Sequence, residues 1–591
     1  MPVILASLLS VTAERWIGLP PGQQRLACQG MWLIAALGAL FVLPWSAADA
    51  RSVLPVFTLD PLGCLFLMVF VLLGCCAERW IRPGGRLPLA CAVASLAAFA
   101  TDAVALMVTG CLALVLALPE RQKASAGCLR ILLFAAGCAP GPVHGAEWMA
   151  IVAALACAAG AGRRQADFAV APMLEAGCGL LLLCRVLLRP DSIVTPAMTA
   201  TLVAGGMTLA FVRVFSALTT RKSSVATMGL AGLPAALSIT SLGLLSLASN
   251  SGSALTAHVA AGTLVLQLVT LWPVAIAFLR TGGLVSEGAG SDHLGRLGGL
   301  ILFAPRLAGL FAATLLVLTF LPPAGGFTIL WLQVETALGL LPDGFTAALP
   351  SLAFLLALGA LVALTGLSAL RLAGLLLLGG ARSPRMAACP DAIWPALAPA
   401  MGALLFAIVT GLAPGGVLRL AEPVLQQLTG ASRLTPQPVF TLVAPDGLSS
   451  WMPCGVTALL LMVVVIIRLV QQQALRSRTG ALTLKREILP DIHTGETTPW
   501  LGGLTTRAPW LPFGEPLIWP GVDMAPSLLR SVLFPQGRLR FMSRLRMLRY
   551  GARCLCRLRR MLRTAAPFAD HATAVVLVLV ALGISLSALM S

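Results

Sequence analysis

Lysine is nearly missing from this chain. Among 591 residues it occurs only as Lys123, Lys222 and Lys485, tyrosine occurs once, and charged residues make up 11% of the total. So few charges exclude an ordinary soluble domain. With a single tyrosine there are no aromatic girdles for an outer-membrane barrel, and the apolar runs have helical lengths instead of ten-residue alternation. No CxxC pair stands among the 15 cysteines, which leaves no zinc or iron–sulfur pattern. Scattered through apolar runs, as in Cys75-Cys76, Cys178 and Cys184, they read as small packing residues; Cys554-Leu-Cys556, beside arginines, is open to acylation. Glycine loops for nucleotides, nucleophile constellations and metal-ligand clusters are missing too, so no catalytic residue, metal or cofactor is expected.

What is present is apolar. Hydrophobic residues make up 58% of the chain, in several runs long enough to cross a bilayer. The pattern predicts an all-α polytopic membrane protein of about 14 to 16 helices. Spans are expected over 1–16, 29–45, 56–76, 87–101, 102–118, 128–139, 147–161, 167–188, 195–218, 225–248, 254–278 and 297–321. After an interruption at Pro322-Pro323, they resume over 327–341, 352–378, 393–413 and 456–470, and a last span covers 571–590. The first run has neither a preceding basic region nor a small-residue cleavage site, so it reads as a membrane helix and not a removed signal.

The formal charge of +18 is concentrated before the last span. In a membrane chain this places the segment in the cytoplasm and makes nucleic acid a poor partner. Over 528–562, arginines alternate with Leu539, Met542, Leu545, Leu548, Leu555, Leu558 and Met561 at helical spacing. Such a helix buries one face at the lipid boundary and turns its arginines to headgroups, either along neighbouring subunits or merely at the periphery.

Several phrases together resemble the antiporter-like membrane subunits of respiratory complex I and its relatives, particularly the hydrogenase-4 component B type and the corresponding formate hydrogenlyase subunit. Phe57-Thr-Leu-Asp-Pro-Leu62 resembles F-x-L-D-x-L, and Pro172-Met-Leu-Glu-Ala-Gly177 resembles V-M-I-K-T-G. Ser223-Ser-Val-Ala-Thr-Met-Gly229 is similar to Y-S-S-V-E-N-I-G, and Ser291-Asp-His-Leu-Gly-Arg-Leu-Gly-Gly299 to T-R-D-L-E-R-L-G-G. Leu321-Pro-Pro-Ala-Gly-Gly-Phe327 resembles L-P-P-L-N-G-F, and Trp394-Pro-Ala-Leu-Ala-Pro399 resembles W-P-M-L-L-P. The phrases keep the family's order over about residues 55–420.

The resemblance implies two inverted five-helix bundles with broken helices, one break at Pro322, Pro323, Gly325 and Gly326, followed by a lateral helix and an anchor. It divides the chain into amino-terminal helices (1–140), an antiporter-like core (141–378), further helices (379–472), a basic cytoplasmic loop with the lateral helix (473–570) and the anchor (571–591). It also implies a bacterial inner-membrane location, other membrane-arm subunits and the lipid bilayer as partners, and protons or cations as possible cargo.

The family's charges are altered. Its W-E-L-M glutamate falls at Ala105, the lysine of K-T-G at Glu175, the lysine before S-S-V near Ala217, and the lysine or acid after L-P-P at Leu330. Its H-x-x-N-H-x-x-x-K helix has no counterpart in 262–278, which holds Gln267 and no charge. Glu175, Glu335 and His258 remain as proton-path candidates, because an ionisable residue within a span is costly unless it pairs or exchanges protons. Arg185 and Arg213 are the expected ion-pair partners of Glu175, while Asp60 and Asp102 lie at helix ends, where capping or solvation suffices. Three functions stay open: a membrane-arm subunit with an impaired proton route and a structural role, active translocation along a rewired path including Glu175, and an unrelated solute transporter.

Overall fold

The computed structural model describes residues 51–54, 57–77, 87–100, 102–117, 124–138, 146–160, 171–188, 194–322, 324–341, 345–430, 438–444 and 450–486. The spans expected over 1–16, 29–45 and 571–590 and the basic helix over 528–562 lie outside the described residues. The described chain is a helical membrane bundle. Two short antiparallel ribbons, Arg51–Leu54 with Phe57–Leu59 and Leu442–Val443 with Ser450–Trp451, are its only strands among the described residues.

The first half runs α1 (Pro61–Ala77), α2 (Leu87–Ala98), α3 (Ala103–Ala117), α4 (Ala124–Gly137), α5 (Ala146–Gly160), α6 (Ala171–Leu187), α7 (Pro196–Thr219), α8 (Ser223–Ala231) and α9 (Leu233–Ser251). The second half runs α10 (Ala254–Leu266), α11 (Trp272–Ala289), α12 (Pro305–Leu318), α13 (Gly325–Gly339), α14 (Phe345–Leu372), α15 (Trp394–Leu412), α16 (Pro414–Leu420), α17 (Glu422–Thr429) and α18 (Pro453–Arg486). Five stretches are long and apolar enough to cross a membrane: Pro196–Thr219, Ser223–Ser251, Ala254–Ala289, Ala348–Leu377 and Pro453–Val470. The pair Ala396–Leu412 and Pro414–Leu420, bent by 96°, makes a sixth if counted as one span.

Ends are set by local chemistry. Thr195 caps α7 by accepting from Met198 N, with Pro196 at the first helical position, where no donor is needed. The span expected over 225–248 lies within the single stretch Ser223–Ser251, in which one turn at Gly232, just before Leu233-Pro234, separates α8 from α9. The span expected to end at residue 278 continues to Ala289, and residues 260–285 of the stretch Ala254–Ala289 are buried without interruption. At 1.5 Å per residue it is about 54 Å long, so it outreaches a hydrocarbon layer of about 30 Å at one or both ends.

That rod contains one π turn, Gln267–Leu271, in which Trp272 N donates to Gln267 O five residues back. Pro273 supplies the reason: it cannot donate to the carbonyl four residues earlier and its ring crowds that turn, so the helix widens locally. The break expected at the proline pair is also present. Helix α12 stops at Leu318, Phe320 takes φ +58°, and α13 starts at Gly325. Pro322 is exposed at this break, and Pro323 lies outside the described residues. The span expected over 297–321 is further interrupted at Ala304-Pro305, where a single short turn precedes α12.

Gly325 is required where α13 crosses α15. A Cβ there would lie 2.6 Å from Thr270 Cγ2 and 3.1 Å from Gly411 Cα, and one on Gly411 would lie 2.7 Å from Gly325 Cα. The two backbones touch, which is how small residues join helices where no water drives them together.

Candidate functional site

Three helices bring uncharged polar side chains together in the interior. Ser241 of α9, Gln267 at the start of the π turn and Gln333 of α13 are 1%, 0% and 0% exposed. Gln267 Nε2 donates to Ser241 Oγ at 3.0 Å, and Gln333 Nε2 reaches the same oxygen at 3.5 Å, a long contact. One turn away, Trp272 Nε1 donates to Ser238 Oγ at 3.2 Å, and Thr270 and Thr410 share a hydroxyl bond of 3.0 Å between the rod and α15. The π turn and the broken helix are thus joined through amides and hydroxyls that carry no charge.

The charges lie elsewhere. Glu175 is buried in α6 and ion-paired with Arg130 of α4, which corrects the expected partners. Arg185 stands ten residues further along the same helix, about 15 Å along its axis. It instead grips Asp60, with Nη1 at 2.7 Å from Oδ2 and Nη2 at 2.8 Å from Oδ1. Arg213 donates to the carbonyls of Ala158 and Ala159, compensating the unbonded C-terminal end of α5. Arg371 serves α7 in the same manner, donating to Ala217 O at 3.0 Å and Thr220 O at 2.6 Å.

Asp60 is likewise buried in an ion pair, where capping or solvation was expected. Gln427 of α17 completes the cluster, donating from Nε2 to Asp60 Oδ2 at 3.2 Å and accepting Leu62 N at 3.1 Å. Residues 365 or more apart in sequence are therefore fastened around the start of α1. Gln427 gave no sequence signal, since it lies in a short segment beyond the quoted phrases.

His258 and Glu335 are half-buried, His258 with Nε2 at 4.0 Å from Glu422 Oε2. Glu175, Glu335 and His258 lie on three different helices, α6, α13 and α10. Ala217 is buried in α7, while Ala105 and Leu330 are partly buried and pack on the apolar core.

Two of the quoted phrases meet directly. Asp292 Oδ1 accepts from Ser224 N at 2.7 Å and Ser223 Oγ at 3.0 Å, and its Oδ2 accepts from Ser224 Oγ. Lys222 and His293 bridge the two segments in antiparallel register. A carboxylate on the first N–H groups of α8 holds the start of that helix against the end of α11.

No protein-family model and no curated protein matches the sequence. Solved structures do match the fold. A chain of the Mrp complex from Dietzia sp. DQ12-45-1b aligns with TM-score 0.55 at 15% identity, over 72% of this chain and 96% of that one. A chain of respiratory complex I from Thermus thermophilus with bound NADH aligns with TM-score 0.50 at 20% identity, over 72% and 99%. A chain of the membrane-bound sulfane sulfur reductase, an archaeal respiratory membrane complex, aligns with TM-score 0.60 at 12% identity, over 99% of both. The chain shares its fold with these subunits of the Mrp complex, respiratory complex I and the sulfane sulfur reductase. Within this fold the neutral Ser241–Gln267–Gln333 cluster lies where the π-bulged rod meets α13, the second half of the broken α12–α13 pair.

Proposed function

We propose that this chain is a membrane-arm subunit of a multi-subunit complex I-like or hydrogenase-4-like assembly in the bacterial inner membrane, with a structural role and an impaired proton route. The observation that carries this reading is the uncharged cluster between the π turn and the broken helix. A proton crossing hydrocarbon needs successive titratable groups or ordered water, and amides and hydroxyls do not hold one at neutral pH. The buried charges favour the same role, because Asp60–Arg185 and Glu175–Arg130 each tie together helices distant in sequence. The basic amphipathic segment over 528–562 would run along neighbouring subunits.

The test is cation flux and assembly measured on one preparation. Protein in liposomes should pass protons and sodium at the background rate, while removal of residues 528–591 should loosen its hold on partner membrane subunits. The competing reading is translocation along a path that includes Glu175, an acid buried within a span. Flux well above background that is lost in Glu175→Gln would establish it instead.

A further inference from the structure

The glutamine pair leaves a hydrogen-bond account open. Gln267 and Gln333 turn their amide nitrogens to one hydroxyl, and neither Oε1, both buried, meets a protein donor. The two amide contacts occupy the lone pairs of Ser241 Oγ, whose own proton has no recorded acceptor among the described residues. Both glutamine carbonyls and the serine proton are therefore left over, together with the second N–H of each amide, in a core that excludes solvent. Buried polar groups in folded proteins nearly always find partners, and a buried water typically makes about three bonds to groups otherwise unpaired.

The geometry points to a site for a single water molecule held by Ser241, Gln267 and Gln333. Its two hydrogens go to the glutamine carbonyls and its oxygen accepts the serine proton, which satisfies both carbonyls and the hydroxyl. A monovalent cation fits less well: it would bring a charge into the interior with no carboxylate in the cluster and would leave the serine proton facing it. The water would join the π turn to the second half of the broken helix, hydrating the interior at this point without supplying a titratable group.

The test is a structure of the full chain at a resolution that shows ordered water, determined in sodium and again with thallium in place of sodium. One peak at about 2.7 to 3.0 Å from both Oε1 atoms and Ser241 Oγ, unchanged between the two and without a thallium signal, is the expected result. A thallium peak would make the site a cation site and overturn the proposal. So would amides rotated to bond each other with no peak between them. Melting of Gln267→Leu, Gln333→Leu and the double variant provides a second reading, since leucine roughly keeps the volume. With a shared water the double variant melts no lower than the worse single one, and fully additive losses would refute the shared site.

Discussion

Arg130→Met should harm this protein more than Arg130→Met combined with Glu175→Leu. The side chains of Arg130 and Glu175 are 6% and 7% exposed, so water screens the pair little and cannot replace a lost partner. Removing one member of such a pair leaves an uncompensated buried charge, at a cost of about 3–5 kcal/mol, whereas exchanging both for apolar groups is often close to neutral. At about 1.4 kcal/mol per decade, the single variant loses roughly two to three and a half decades in its folded population. A chain of this size need not unfold in one step, so the assay is the rank order of melting in detergent together with the fraction surviving gel filtration. The order should be wild type, then the double variant close below it, then Arg130→Met far below. The reasoning fails if Arg130→Met melts with wild type, or if the double variant is as poor as the single.

Other outcomes follow from the same contacts. Asp60→Asn should lower the melting temperature and leave Arg185 without its charged partner, and Gln427→Leu should do so by less, since it removes only neutral donors and acceptors. Gly325→Ala should reduce the yield of folded protein, by about 1–3 kcal/mol or more, because its methyl group would meet the backbone of Gly411. Gly366→Ala, with nothing within 4 Å of the new methyl, should be neutral or stabilising, by up to about 1 kcal/mol of helix propensity, which makes it the control. In the loop before α15, burial and then the nearby Asp391 push the Cys389 thiol above its ordinary value. The thiolate is the reactive form, so maleimide should label Cys389 slowly at pH 8 and faster in Asp391→Asn, and equal rates would contradict the assignment.

The six quoted phrases and the long apolar runs were enough to place this chain among helical membrane proteins, because a bilayer leaves so few ways to satisfy backbone donors and acceptors. The break after Leu318 was equally legible, since a proline pair followed by two glycines removes helical bonds wherever it occurs. The π turn carried a local signal in Pro273, but a proline allows a kink, an end or a bulge alike, and only packing on both sides of the rod selects the bulge.

Partnership was not legible. Hydropathy shows that Glu175 is inside, but any arginine in several helices could reach it, and helix rotation and level in the bundle decided for Arg130 over Arg185 and Arg213. The same holds for Asp60, which lies near the start of the span expected over 56–76, where capping or solvation would suffice. Its burial comes from α6 and α17 closing over it, and those contacts span more than a hundred residues of sequence. The sequence by itself determined the class, the apolar spans and the positions where helices must break, since these depend on local composition and on the missing proline donor. The tertiary structure alone decided which charges pair and that Ser241, Gln267 and Gln333 meet, because each depends on the relative rotation of helices that no local pattern encodes.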